Sequence, residues 1–261
     1  MLILLPPSEG KAPTDGGTPF DVEELSTPAL NRTRVRVRDA LVKLCSGREA
    51  RARQVLGISE RQTDELDRNR ELADARALPA SQVYTGVLYA ALDYPSLTAT
   101  ARRRVNRWLR VLSALWGAIQ MEDQIPAYRL SGDVTLPRIG AITTVWRKPL
   151  ASSIPDAAGE GVVLDLRSGV YAKMWTPDGD LAERTVTARV VLERPDGSRA
   201  VVSHHNKATK GHLVRALASQ GTTPRSVEEL SALVEKLGFG TELKVGRPGK
   251  PWSLDVVVTD L

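Results

Sequence analysis

The chain begins with Met1-Leu2-Ile3-Leu4-Leu5-Pro6-Pro7-Ser8-Glu9-Gly10-Lys11, in which an unbroken apolar run stops at two prolines and a polar segment follows. The run is too short for a membrane span, and no basic residues precede it as they would in a signal peptide. We therefore predict a buried strand over residues 1–6. This strand would deliver the polar residues from Ser8 to Lys11 to a cleft, before a long loop over residues 12–21.

Apolar spacing and turn residues predict the remaining elements. Residues 36–76 are expected to form a charged helical lobe, in which Ser59 is the N-cap of a second helix. Arg104 to Ile119 follows helical spacing and is predicted to be one helix. The other predicted elements are a strand over Gly161–Leu166, a hairpin of Arg184–Glu193 with Arg199–Ser203, a helix over Ser226–Leu237, and a hairpin of Thr241–Val245 with Ser253–Thr259. Because strands and helices alternate, we predict a mixed α/β fold with a single domain over residues 1–261.

The composition favours a phosphate-bearing partner. The 261 residues contain 36 Lys and Arg against 31 Asp and Glu, which gives a net charge of +5. Such a balance modestly favours anionic partners. The only cysteine, Cys45, excludes an internal disulfide and suits a reducing compartment, and no apolar run approaches the length of a membrane span. We therefore expect a cytoplasmic monomer without a membrane partner.

All three histidines lie in the segment Ser203–Arg215, which contains no acidic residue. We predict that a strand ends at Ser203 and that a helix follows, with Thr209 as its N-cap. Lys210 and Gly211 would then lie in the first turn, where unpaired amides attract anions. The segment therefore predicts an anion-binding helix start, and a solvated basic turn is the alternative.

The same histidines do not predict a metal site. His204, His205 and His212 have no carboxylate or cysteine nearby to complete a ligand set, and the neighbouring lysines repel cations. We therefore expect no metal and no cofactor, and an anion or water would bind the exposed histidines.

Several segments resemble the YaaA peroxide-stress protein family, in the same order along the chain. They are the N-terminal Pro-Pro-Ser-Glu-Gly-Lys over residues 6–11, Val83-Tyr84-Thr85-Gly86, Leu112–Gly117 with Ala127–Leu130, Leu164–Tyr171 and Asn206–Gly211. The resemblance implies a single α/β domain with a positively charged cleft, a helix-hairpin-helix element, DNA binding and a role in limiting peroxide damage.

By position, the resemblance also implies which residues belong to the family's motifs. They are Lys11, Tyr84, Thr85, Gly86, Arg129, Ser168, Tyr171, Lys207, Lys210 and Gly211, and Ser8 is a further candidate for binding the ligand. Two features depart from other members. Glu9 stands in the N-terminal motif, and Ser59 replaces the second glycine of the hairpin Leu56-Gly57-Ile58-Ser59. Because that glycine lets backbone amides approach phosphate closely, its absence argues against the usual grip on duplex DNA.

Two hypotheses for function remain open. In the first, the protein binds nucleic acid through phosphate contacts made by Lys11, Arg129, Lys207, Lys210, Arg215 and an arginine-rich helix over residues 102–110. Tyr84, Tyr128, Tyr171 and Trp175 would then stack on unpaired bases or pack in the core. Binding should be steeply salt-dependent and should show little sequence preference.

In the second hypothesis the same cleft belongs to an enzyme. A lysine held close to other cations loses its proton more readily and can attack a sugar or carbonyl carbon. Lys207, beside Lys210 and His205, is the candidate nucleophile, with Tyr84, Ser168 and Glu9 as further catalytic candidates. Asp165 is an alternative general base. The substrate would be a damaged nucleotide in DNA or a small anionic molecule.

Overall fold

The computed structural model describes residues 1–193, 199–200 and 203–258, without side chains at 199–200 and 203–205. The strands are β1 (Leu2–Leu5), β2 (Thr18–Pro19), β3 (Arg76–Pro79), β4 (Leu109–Ser113), β5 (Gly117–Ile119), β6 (Gln124–Ile125), β7 (Thr135–Leu136), β8 (Gly140–Ala141), β9 (Val163–Asp165), β10 (Thr185–Glu193), β11 (Arg199–Ala200), β12 (Gly240–Lys244) and β13 (Trp252–Val258). The helices are α1 (Asn31–Cys45), α2 (Glu49–Leu56), α3 (Asp64–Arg70), α4 (Ala80–Val83), α5 (Val87–Leu92), α6 (Ala99–Trp108), α7 (Ile142–Ala158), α8 (Gly169–Ala172), α9 (Gly179–Glu183), α10 (Ser203–Gln220) and α11 (Val227–Lys236). Short 3-10 segments occupy Val22–Glu24, Pro28–Leu30, Glu60–Gln62 and Tyr94–Ser96. The predicted mixed α/β class is confirmed.

One mixed sheet organises the molecule. Its order is β12-β13-β10-β9-β1-β4-β5, with β11 beside β10. The run from β13 to β4 is parallel, whereas β12 and β5 pair antiparallel at the two edges. The chain leaves β1 toward β4 on one side, and it later adds β9 and β10 on the other side. The direction of winding therefore reverses between β1 and β9, which is where open α/β sheets bind ligands.

Strand β1 lies at the centre of this sheet, as its sequence predicts. Its four residues are completely or almost completely buried, and β9 and β4 pair with its two hydrogen-bonding edges. A strand buried on both faces carries consecutive apolar residues instead of alternating ones. The prolines that follow end the strand, and the Ser8–Lys11 segment emerges at the carboxyl edge of the sheet.

The prediction of one helix over Arg104–Ile119 was wrong. Helix α6 ends at Trp108, Leu109 takes an extended conformation, and the antiparallel pair β4–β5 follows. Leu109, Val111 and Leu112 are fully buried in the sheet. A short apolar run of this kind satisfies helical spacing as well as strand burial, so periodicity alone does not distinguish the two.

The helix start predicted at Thr209 was also wrong. Helix α10 begins at Ser203, so Lys210 and Gly211 lie in its interior, where the amides hydrogen-bond within the helix. Gly211 lies inside α10. Its lack of a side chain allows α10 to approach α5 closely. A Cβ atom at Gly211 would lie 2.2 Å from the carbonyl oxygen of Leu88.

Other predicted elements are confirmed. Strands β10 and β11 form a hairpin, although its predicted turn at Pro195-Asp196-Gly197 lies outside the described residues. Strands β12 and β13 form the final hairpin, and Ser226 caps α11 by accepting a hydrogen bond from the amide of Glu229. Within the predicted 36–76 segment lie most of α1, all of α2 and α3, and a 3-10 segment at which Ser59 forms a capping box with Gln62, while the residues after Arg70 lead into β3. In the described ranges, no helix has the length and apolarity needed to cross a membrane.

Candidate functional site

A cavity of about 660 Å³ opens at the carboxyl edge of the parallel strands. We call it the strand-end cavity. The loops that follow β1 and β9, the end of β10 beyond β9, and one face of α10 form its walls. Its lining comprises Pro6, Pro7, Ser8, Glu9, Lys11, Leu88, Arg129, Leu130, Ser131, Arg167, Ser168, Gly169, Tyr171, Ala172, Thr187, Ala188, Arg189, Asn206, Lys207 and Lys210. The topology therefore brings together most of the residues that the sequence motifs singled out.

Among the basic side chains of the cavity, Lys11 has the most strongly lowered pKa. Its Nζ donates hydrogen bonds to the carbonyl oxygens of Ser8, at 3.1 Å, and Glu9, at 3.2 Å. Burial, reinforced by the charge of Arg129, lowers the pKa of Lys11 to about 7. A substantial fraction of this side chain is therefore an uncharged amine near neutral pH.

Aromatic hydroxyl groups form the layer beneath Lys11. Its Nζ lies 4.1 Å from the ring centroid of Tyr128, whose hydroxyl is 3.1 Å from the Tyr84 hydroxyl and 2.6 Å from Oγ of Ser113. Tyr84 is buried behind Lys11, and burial raises the pKa of its phenol above the usual range. Tyr84 therefore packs against Lys11 instead of facing the cavity, and Tyr128 and Trp175 are also core residues.

Arg129 enters the cavity from the segment after β6, and α3 fixes its position. The side chain of Asn69, on α3, accepts a hydrogen bond from the Arg129 amide at 2.9 Å and donates one to the Arg129 carbonyl at 2.8 Å. The Arg129 guanidinium in turn holds the Glu9 carboxylate at 2.6 Å. The helical lobe thus contributes to the cavity by positioning an arginine.

The loop after β9 is held by a buried ion pair. Arg167 donates to both carboxylate oxygens of Asp165, at 2.8 and 2.6 Å, and to the Tyr171 carbonyl at 3.1 Å. The Arg167 guanidinium also lies over the ring of Trp175. This network presents Ser168 and Tyr171 to the cavity, and burial raises the pKa of the Tyr171 phenol to about 12. Asp165, being fully engaged by Arg167, is poorly placed to act as a general base.

Helix α10 contributes residues with structural bonds as well as cavity residues. The Nζ of Lys210 is buried and donates to the Leu166 carbonyl at 2.9 Å. Arg215 lies away from the cavity and donates to the carbonyls of Leu92 and Asp93, at 3.1 and 2.9 Å, where α5 ends. Lys207 is exposed at the cavity wall, and the exposed His212 lies on another part of the helix.

The remaining predicted residues fall into two groups. Thr85 and Gly86 line a neighbouring cavity of about 370 Å³, which shares Ser8, Glu9 and Lys207 with the strand-end cavity. Gly211 packs on α5, and the side chains of His204 and His205 lie outside the described part of the chain. Among the side chains that the structure describes, no cluster of His, Cys, Asp or Glu could hold a metal ion.

Among the polar lining residues that sequence reasoning missed are Arg167, Arg189 and Asn206, and it also missed Asn69 behind the lining. Arg167 lies inside a recognised motif, but neither spacing nor charge assigned it a role. Arg189 stands on β10, where it pairs with Asp255 of β13. Asn206 carries a buried side-chain oxygen without a hydrogen-bond partner among the described residues. Asn69 gave no local signal, because its only unusual property is a contact 60 residues away.

The arginine-rich helix that was predicted to extend the basic surface lies at the amino ends of the parallel strands, whereas the cavity lies at their carboxyl ends. Helix α6 leads into the amino end of β4, and β4 runs parallel to β1. The charge of Arg107 acts on the amino terminus of Met1, which lies at that same edge. Arg104 donates to the carbonyls of Ala218 and Ser219 at the end of α10. These arginines therefore do not extend the strand-end cavity.

Comparisons with known proteins place this architecture in a family. A family model described as "Peroxide stress protein YaaA" matches residues 1–243. A UPF0246 protein of Streptomyces coelicolor is 51% identical over 262 residues, covering 100% of both chains. A UPF0246 protein of Corynebacterium efficiens is 39% identical, covering 95% of this chain and 97% of the relative. One from Corynebacterium glutamicum is 38% identical, covering 93% and 95%. The segment that matches the family model contains every residue lining the strand-end cavity.

Proposed function

We propose a function that proceeds from the family, because this chain belongs to the peroxide stress protein YaaA family. The proposed function is that of a cytosolic DNA-binding protein of the peroxide response, which holds phosphate groups in the strand-end cavity. The observation that carries the proposal is the gathering of basic side chains at one ligand-binding edge. The cavity is lined by Lys11, Arg129, Arg167, Arg189, Lys207 and Lys210.

The acidic side chains near these bases leave an excess of positive charge. Glu9 lines the cavity and pairs with Arg129, while Asp165 and Asp255 pair with Arg167 and Arg189 from behind. Three carboxylates therefore accompany six basic side chains, and one of the six, Lys11, is only partly charged at neutral pH. A recessed site of this kind concentrates the field of its charges and attracts anions.

The size of the cavity favours one nucleotide over a duplex. Its volume of about 660 Å³ lies in the range typical of small-molecule sites. A nucleotide turned out of the helix, or one in a single strand, would place its phosphate among the basic side chains of the cavity and its nucleobase beside Tyr171. We assign no phosphate contact to the Leu56–Ser59 hairpin, because the Ile58 and Ser59 amides already donate to Arg53 and Gln62.

The lowered pKa of the half-buried Lys11 favours a second candidate function. A DNA-binding surface gains most from lysines that remain charged and exposed, whereas an amine with a pKa of about 7 is suited to proton transfer or nucleophilic attack. The alternative is therefore an enzyme that acts in the same cavity, either on a damaged nucleotide or on a small anionic substrate.

Fluorescence anisotropy tests the first proposal. Labelled duplex, single-stranded and abasic oligonucleotides would be titrated over a salt series with wild type, with Lys207→Gln, and with the Lys207→Gln, Arg129→Gln double variant. Each lost phosphate contact should reduce the salt slope by about 0.9 for duplex, or about 0.7 for a single strand. We expect the single-stranded and abasic oligonucleotides to bind more tightly than intact duplex.

Lys148→Gln is the matched control for this experiment. Lys148 is exposed on α7. Its replacement by Gln removes the same charge as Lys207→Gln does, but from a position outside the cavity. An equal loss of affinity in the control would show that only overall charge matters. Absence of binding by wild type near physiological salt would exclude DNA as the ligand and favour the small-molecule alternative.

A further inference from the structure

We propose that the Nζ of Lys11 is a nucleophile, and that it forms an imine with the aldehyde carbon of a phosphate-bearing ligand in the strand-end cavity. This inference rests on the proposed function, because it uses the same cavity and the same anionic ligand. It differs from the sequence-based hypothesis, in which Lys207 was the candidate nucleophile.

The backbone holds Lys11 in one place. Lys11 forms a β-bridge with Tyr84, and the Ala12 amide donates to the Val83 carbonyl at 2.9 Å. The preceding turn is tied to the same segment, because the Thr85 amide donates to Oγ of Ser8 at 3.1 Å. A nucleophile fixed in this way loses little conformational entropy on meeting its substrate.

The groups around Nζ favour an amine that can react. Both of its hydrogen bonds go to backbone carbonyls, which use two N–H groups, so the uncharged amine can satisfy them. The nearby Glu9 carboxylate is bonded to Arg129 instead of to Lys11. Across the described residues, no carboxylate forms an ion pair with Lys11.

The charged groups facing Lys11 come from each neighbouring element. Arg129 and, from α3, Arg68 lower the pKa of Lys11 by repelling its ammonium form. Glu9 and, from α3, Glu65 raise that pKa. The rings of Tyr84 and Tyr128 also stabilise a cation. Burial outweighs these favourable contacts and leaves the pKa of Lys11 at about 7. Burial also lowers the pKa of Lys210, against the opposing charge of Asp165, but its Nζ donates to the Leu166 carbonyl, and Lys207 is exposed.

The reaction balances without an oxidant or reductant. The Nζ lone pair forms a bond to the aldehyde carbon, and the electrons of the C=O π bond move to oxygen. A proton passes from nitrogen to that oxygen, which gives a neutral carbinolamine. Its hydroxyl takes one proton from solvent and leaves as water, while the nitrogen lone pair forms the C=N bond. The product is a protonated imine, while Arg129 and Lys207 hold the phosphate.

Reductive trapping tests this proposal. Wild type would be incubated with sodium cyanoborohydride and either 2-deoxyribose 5-phosphate or a single-stranded oligonucleotide with one abasic site, and adducts would be mapped by mass spectrometry. We expect labelling of Lys11 at least about tenfold above that of Lys148, with loss of labelling at this position in Lys11→Arg. Half of the limiting rate should be reached near pH 7, because the pKa of Lys11 is about 7.

The two probes distinguish the source of the ligand. Trapping of the oligonucleotide alone would identify an abasic site in DNA, and trapping of the free sugar phosphate alone would identify a small metabolite. Labelling spread over the lysines according to exposure, or labelling of neither probe, would overturn the proposal. Wild-type mapping gives this answer even if Lys11→Arg does not fold.

A non-reactive oligonucleotide separates this proposal from the proposed function. An oligonucleotide with a tetrahydrofuran abasic analogue has phosphates but no aldehyde, so it can bind without forming an imine. If it binds in a salt-dependent manner while nothing is trapped, the nucleophile proposal fails and DNA binding stands. If it fails to bind while 2-deoxyribose 5-phosphate is trapped on Lys11, DNA binding fails and the nucleophile stands.

Discussion

Two lysine-bearing segments meet at the strand-end cavity and differ in what their lysines do. In the Ser8–Lys11 loop, Lys11 is half-buried without an ion pair to a carboxylate in the described part of the chain, and its pKa falls to about 7. In α10, Lys210 donates to the Leu166 carbonyl, and Gly211 and Arg215 join α10 to α5. The sequence made the second segment the more conspicuous, because it collects basic residues and all three histidines.

The difference shows that local charge density does not identify the lysine whose pKa falls furthest into the neutral range. A run of basic residues on a helix distributes its side chains around the helix, so some make structural bonds and others reach solvent. A lysine on a loop at the end of a central strand is instead directed into the switch point of the sheet. The Ser8–Lys11 loop therefore carries the lysine that we propose as the nucleophile, and α10 supplies part of the cavity wall.

The largest expected effect concerns the packing of α10. Gly211→Ala would place a Cβ atom 2.2 Å from the Leu88 carbonyl oxygen, so α10 and α5 must separate. We expect a loss of about 3 kcal/mol in the free energy of unfolding, measured by urea denaturation. Gly16→Ala, where no atom lies within 4 Å of the new Cβ, is the control. Unchanged stability with lost ligand binding would instead make Gly211 part of the binding site.

The next effect concerns the pH dependence caused by Lys11. Because its folded pKa lies below its unfolded value, the folded state binds fewer protons between about pH 7 and 10.5, and stability rises with pH in that window. Relative to Lys11→Met, wild type should gain up to about 1.4 kcal/mol per pH unit between roughly pH 8 and 10. Urea denaturation at several pH values measures the difference, with the exposed Lys148→Met as control. A parallel pH dependence in wild type and Lys11→Met would contradict the burial of an uncharged amine.

The smallest effect concerns Arg215. Arg215→Ala removes two hydrogen bonds to the carbonyls of Leu92 and Asp93, and it should cost about 1 kcal/mol of stability. Oligonucleotide affinity should fall no more than in Lys148→Gln. A large loss of affinity at unchanged stability would return Arg215 to the ligand-binding set that the sequence predicted.

Much of the site could be anticipated from short motifs. Ser8, Glu9, Lys11, Arg129, Ser168, Tyr171, Lys207 and Lys210 were all singled out, and all of them line the strand-end cavity. Their chemical roles were harder to assign, because burial and partners depend on residues far away in the chain. Asn69 illustrates this dependence, since its amide fixes Arg129 across 60 residues.

The sequence by itself determined the central strand, because Leu2–Leu5 can only be accommodated with both faces buried and Pro6-Pro7 ends the ladder. It likewise determined the capped helix after Ser226 and the two hairpins, whose signals are local. Tertiary structure alone decided that residues 109–113 form a strand, that α10 extends back to Ser203, and that the half-buried Lys11 has a pKa of about 7. The physical reason is that capping and turn formation depend on neighbouring residues, whereas burial, and the pKa that follows from it, depend on what the rest of the chain places around a side chain.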